Sequence, residues 1–77
     1  MNVRDLEMQL LTAQQLVTDG ERMIAEEKNL IADLQRAGKR LPPATTLRAL
    51  EQLQIELIER RDRLEREVAD ARQAKQA

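Results

Sequence analysis

Apolar residues recur every three or four positions through most of the chain, which is the spacing of one face of an α-helix. In the first half they form two rows whose members are seven residues apart. One row holds Val3, Leu10, Val17, Ile24 and Ile31, and the other holds Leu6, Ala13, Gly20, Glu27 and Leu34. Paired rows of this kind are the heptad seam of a coiled coil. They predict one long helix over about residues 3–37.

The second half repeats the pattern and predicts a second helix over about residues 44–75. Its two rows are Leu50, Leu57, Leu64 and Ala71, and Leu47, Gln54, Arg61 and Val68. Between the halves lies "AGKRLPPATT", where Gly38 suits the residue after a helix C-terminus and Pro42 and Pro43 interrupt helical dihedrals. We therefore predict a turn over about residues 38–43. The expected fold is all-α: a single domain, residues 1–77, forming an antiparallel two-helix hairpin.

Apolar residues also lie beside both rows, so the stripes are wider than a two-helix seam requires. These flanking residues would stay partly wet in an isolated hairpin, and a chain of 77 residues has little core to offset its ordering entropy. We expect two hairpins to pack as a homodimeric four-helix bundle. The candidate interface residues are Leu16, Met23, Leu30, Leu53, Ile55 and Ile58.

Four seam positions do not hold large apolar residues: Gly20, Glu27, Gln54 and Arg61. If the chain reverses near residue 41, Glu27 falls level with Gln54, and Gly20 falls opposite Arg61. A polar layer of this kind fixes the register of a coiled coil, and a glycine would leave room for the long arginine. Alternatively, Thr18 and Glu21 form a capping box that begins a new helix near Gly20 and gives three helices.

The composition excludes most catalytic and metal-binding side chains. The chain has no His, no Cys and no aromatic residue, and it also lacks Ser. The usual acid–base group near neutral pH, thiolate ligands and an activated hydroxyl are therefore missing. We predict no enzymatic activity, no metal site and no cofactor. No apolar run is long enough to cross a bilayer, and the N-terminus does not resemble a secretory signal. A cytoplasmic location is the expectation.

Charge is unevenly distributed along the chain. Residues 35–48 carry four basic side chains and no acidic one, namely Arg36, Lys39, Arg40 and Arg48. These are candidate anion contacts at the tip of the hairpin, although cations also suit a helix C-terminus. The arginines of "ERRDRLERE" are balanced by acids, whereas nucleic-acid binders usually present an unbalanced basic face. We therefore do not expect nucleic acid as a partner.

The segments "GERMIAEEKNLIADLQRAG" and "LRALEQLQIELIERRDRL" resemble a group of small bacterial two-helix proteins. These proteins show Gly-Glu-Arg-x-Ile-Ala in the first arm, a glycine at the turn and Arg-Asp-Arg-Leu in the second arm. The group often carries His-Asp after that glycine, where this chain has Lys39. The resemblance implies a helical hairpin and no particular activity.

Three functions fit these features. The first is a non-enzymatic protein–protein interaction or adaptor module that acts as a homo-oligomer and binds a further protein partner. The second is a dimeric hairpin that resembles Rop and binds RNA or other nucleic acid through its basic residues. The third is a purely structural coiled-coil component of a larger assembly.

Overall fold

The chain folds as two long antiparallel helices. The computed structural model describes the backbone of residues 2–76 and the side chains of residues 2–75. Helix α1 spans Val3–Arg36 and helix α2 spans Ala44–Gln76. Together they make a rod of 63 × 15 × 13 Å. The predicted all-α helical hairpin is confirmed. Over the described residues, neither helix has an apolar stretch that could cross a bilayer.

Both ends of α1 satisfy backbone groups that a helix leaves unpaired. At its start, Asn2 Oδ1 accepts a hydrogen bond from Arg4 N at 2.8 Å, and Asp5 lies in the first turn, where the helix dipole favours an acid. At its end, Gly38 N donates to Gln35 O at 3.2 Å and Lys39 N donates to Leu34 O at 2.9 Å. This pair of bonds is a Schellman motif, and it turns the chain away from the helix axis at Gly38.

Gly38 adopts a φ of +66°, in the left-handed region that a Cβ disfavours. Gly38→Ala should therefore destabilise the protein by about 1 kcal/mol. An added Cβ has no atom within 4 Å, so this cost would come from the backbone alone. Gly38→Asn should cost less, because asparagine tolerates this conformation better. Urea denaturation of the three proteins at equal concentration measures the differences. Equal stability of the alanine and glycine proteins would contradict this account.

Helix α1 continues through Gly20 without a break. The Thr18 hydroxyl donates to the Gln14 carbonyl one turn earlier, at 3.1 Å, instead of capping a new helix. The three-helix alternative is therefore wrong. The heptad rows on either side of Gly20 stay in phase, as a continuous helix requires.

The heptad rows form the contact between the helices. Every member of the four rows is buried or half-buried. The most buried apolar side chains are Leu6, Ala13, Val17, Leu64 and Val68. The core is therefore one residue layer thick, and the opposite side of each helix faces solvent.

The register differs from the expected one by a heptad. Gln54 lies beside Gly20 and Val17, at the level where Arg61 was expected. The chain reverses at the Gly38 turn rather than at residue 41, and Leu41 and Pro42 then line a surface depression together with Ile31 of α1. Because moving the point of reversal by three or four residues moves each cross-helix partner by twice as much, α2 is displaced by about seven residues.

Candidate interaction surface

A buried amide occupies the middle of the seam. The Gln54 side chain is only 7% exposed. Its Nε2 donates to the backbone carbonyl of Val17 at 2.9 Å, and this hydrogen bond joins the two helices. Its Oε1 has no hydrogen-bond partner among the described residues. A polar seam residue held in this way penalises other registers, since slipping would bury the amide without its acceptor.

Gly20 makes the space for this amide. An ideal Cβ on Gly20 would overlap Gln54 Oε1 and would lie 2.9 Å from Gln54 Cδ. The amide oxygen therefore sits against the glycine Cα, where a weak Cα–H···O contact is the interaction available to it. Gly20 is thus a packing residue, as its seam position suggested. The partner expected for it was wrong: it contacts Gln54, not Arg61.

The other two polar seam residues are separated from this layer. Arg61 is half-buried, and its Nε and Nη2 donate to Asp62 Oδ1 at 3.2 and 3.0 Å. In the observed register Arg61 falls level with Ala13, whose small side chain suits a long neighbour. Glu27 is also half-buried, but it lies one heptad away from Gln54. The expected Glu27–Gln54 layer is therefore not formed.

The two long edges of the seam can be told apart by their contacts. The rows that begin at Val3 and Leu47 are position a of each heptad, and the rows that begin at Leu6 and Leu50 are position d. In an antiparallel coiled coil, position e, which follows d, lies on one edge in both helices, and position g, which precedes a, lies on the other. Arg72 Nη2 lies 3.1 Å from Glu7 Oε1, and these two e residues mark one edge. Gln9, Arg60 and Glu67 line a depression along the other, the g edge.

The six candidate interface residues divide between these edges. Leu16, Met23 and Leu30 of α1 and Leu53 of α2 occupy position g and lie along the g edge; we call them the apolar patch. Their exposed fractions are 40, 47, 48 and 49%. Ile55 and Ile58 lie towards the e edge, and Ile58 is half-buried. The structure thus separates residues that the sequence pattern grouped together.

The apolar patch is regular and short. Met23 and Leu53 fall at about the same level of the hairpin, while Leu16 and Leu30 lie one heptad to either side. One heptad is about 10 Å along a helix. Beyond Leu16 on α1 and Leu53 on α2 towards the chain termini, the same edge is polar, with Gln9 on α1 and Arg60 and Glu67 on α2. A partner that fits this patch therefore covers about 20 Å of the edge.

The basic residues at the tip do not form an enclosed site. Arg36 pairs with Asp33 on the preceding turn. Lys39, Arg40 and Arg48 are exposed, and none of the three takes part in an ion pair among the described side chains. The candidate anion contacts are consequently a diffuse charged surface at one end of the rod.

Comparison with protein-family models, with curated proteins and with solved structures gives no match to this chain.

Proposed function

We propose that this chain is a non-enzymatic protein–protein interaction module that acts as a homo-oligomer, with a homodimer as its basic unit. The observation that carries the proposal is the apolar patch, four large side chains that are each 40–49% exposed on one edge of the hairpin. Apolar clusters of this kind on small helical proteins typically mark a contact with another molecule.

The overall surface area supports association. The hairpin exposes 6111 Å². A compact monomer of 8.9 kDa is expected to expose about 4,800 Å². The excess of roughly 1,300 Å² exceeds the about 800 Å² that one partner buries in a standard protein–protein interface, and two copies would together bury about 2,600 Å², which lies in the range of obligate homodimers. A second copy can bury this area and also add a second layer to the single-layer core.

Sedimentation equilibrium tests the homo-oligomer directly. We expect a mass of twice the 8.9 kDa chain at low micromolar concentration. Thermal unfolding followed by circular dichroism should show a midpoint that rises with protein concentration, because association stabilises only the folded state. A monomer that unfolds cooperatively with a concentration-independent midpoint would contradict the proposal.

The RNA-binding alternative receives less support from the geometry. On α2, Arg61 is engaged by Asp62 and Arg72 by Glu7, and three arginines without an ion pair among the described side chains, Arg60, Arg63 and Arg66, are interspersed with Glu59, Glu65 and Glu67. An RNA-binding hairpin would need these arginines on an unbalanced basic face. In a gel-shift assay we expect micromolar protein not to retard a structured RNA in about 50 mM salt, where phosphate contacts are stronger than at higher salt. Binding that weakens steeply with added salt would favour the alternative instead.

A further inference from the structure

We infer that the partner at the apolar patch is a second copy of this chain packed antiparallel to the first, with a two-fold axis that passes Met23 and Leu53. This inference rests on the proposed homodimer and adds its orientation. A symmetric dimer uses the same patch on both subunits, so the patch must complement its own rotated image.

The spacing of the apolar patch meets this requirement. Rotation about an axis at the level of Met23 brings Leu16 opposite the partner's Leu30, and Leu30 opposite the partner's Leu16. Met23 and Leu53 each face their own copies, because they lie at about the same level. All eight large side chains then meet other apolar side chains. They are 40–49% exposed in the single hairpin, so each can bury further apolar surface in the dimer.

A parallel dimer through the same edge pairs the residues less well. In that arrangement α1 lies over α2 of the partner at equal levels. Leu16 then meets the partner's Arg60, and Leu30 meets the partner's Thr46, since these are the g positions one heptad to either side of Leu53. Only Met23 and Leu53 would find apolar neighbours. The patch therefore favours the antiparallel arrangement.

Charge at the two ends of the rod favours the same orientation. The tip segment, residues 35–48, has four basic side chains and no acid. At the other end, the g edge and the position beside it carry three acids, Asp5, Glu67 and Asp70, and two arginines, Arg60 and Arg63, and none of the five takes part in an ion pair among the described side chains. An antiparallel dimer places each basic tip beside this end of its partner, where these five side chains carry a net charge of −1. A parallel dimer places the two basic tips side by side.

The acids that flank the apolar patch on α1 do not oppose this contact. Arg22 lies 3.4 Å from Asp19 and 3.9 Å from Glu26. Asp33 is paired with Arg36. Each of these carboxylates therefore has a cation on its own helix, which lowers the repulsion between copies across the two-fold axis.

Two single-cysteine variants distinguish the arrangements, because the chain has no other cysteine. Ala37→Cys and Ala49→Cys both lie at exposed positions outside the patch. Each would carry a nitroxide label for double electron–electron resonance. In the antiparallel dimer, the Ala37 positions lie 14 residues on either side of the axis, which separates them by about 40 Å. The Ala49 positions lie beside Leu53, so their labels should be within about 20 Å of each other.

Other combinations of distances overturn the inference. Labels at residue 37 within about 20 Å of each other would indicate a parallel dimer, given the 8–10 Å spacing of packed helices. Labels at residue 49 more than about 30 Å apart would place the contact on the e edge. Absence of dipolar coupling together with a monomeric mass would refute the homodimer itself, whereas a dimeric mass with the wrong distances would refute the orientation alone.

Discussion

Met23→Glu is expected to abolish dimerisation at micromolar concentration. In the antiparallel dimer the two residues 23 face each other across the two-fold axis, so the substitution buries two like charges without partners. Leaving one buried charge unpaired typically costs about 3 kcal/mol or more, which corresponds to at least a 100-fold rise in the dissociation constant. Sedimentation equilibrium should then give a mass near that of the 8.9 kDa chain.

Met8→Glu is the matched control for this substitution. Met8 is 64% exposed and also lies on α1, but on the side of the helix away from the seam. The same chemical change there should leave the mass and the thermal midpoint almost unchanged, since surface substitutions usually shift stability by less than about 0.5 kcal/mol. The patch would lose its assigned role if both glutamate variants dimerised as tightly as the original chain.

Gly20→Ala should destabilise the protein, although alanine is the better helix former. An added Cβ would overlap Gln54 Oε1, so the amide must move. Displacing it breaks the Gln54 Nε2–Val17 O hydrogen bond and leaves a buried amide unpaired, which costs about 1–3 kcal/mol. The gain in helix propensity is about 1 kcal/mol and offsets only part of this loss. We expect a net loss of about 1 kcal/mol in urea denaturation at fixed protein concentration.

The sign of the effect should reverse when the amide is removed. In a Gln54→Ala background the space beside Gly20 is open, so Gly20→Ala should stabilise the protein by about 1 kcal/mol through helix propensity alone. The double-mutant cycle Gly20→Ala, Gln54→Ala measures this coupling. Additive effects would show that Gly20 and Gln54 do not depend on each other, and would contradict the contact described above.

The two helices were predictable from particular residues. The heptad rows of Val3 to Ile31 and of Leu50 to Ala71 specify amphipathic helices, because a period near 3.6 residues places such positions on one face. Gly38 and the two prolines locate the turn, since they favour backbone conformations that end a helix. Local backbone preferences and side-chain periodicity are sufficient for each of these.

The register was not predictable from the same residues. A slip of one heptad leaves every row on the seam, so Gly20 could face Arg61 or Gln54 with the same periodicity. The choice depends on the path of residues 39–43 after the Gly38 turn, where Leu41 and Pro42 line one depression with Ile31. That path belongs to the loop between the helices, and no helical periodicity encodes it.

The sequence by itself therefore determined the number, length and direction of the helices and the face that each helix buries, because these follow from interactions between residues close in the chain. Only the tertiary structure decided that Gln54 lies against Gly20 and that Met23 and Leu53 fall at about the same level of the g edge. These facts depend on how one helix is placed beside the other, and equal heptad spacing on both helices permits more than one placement.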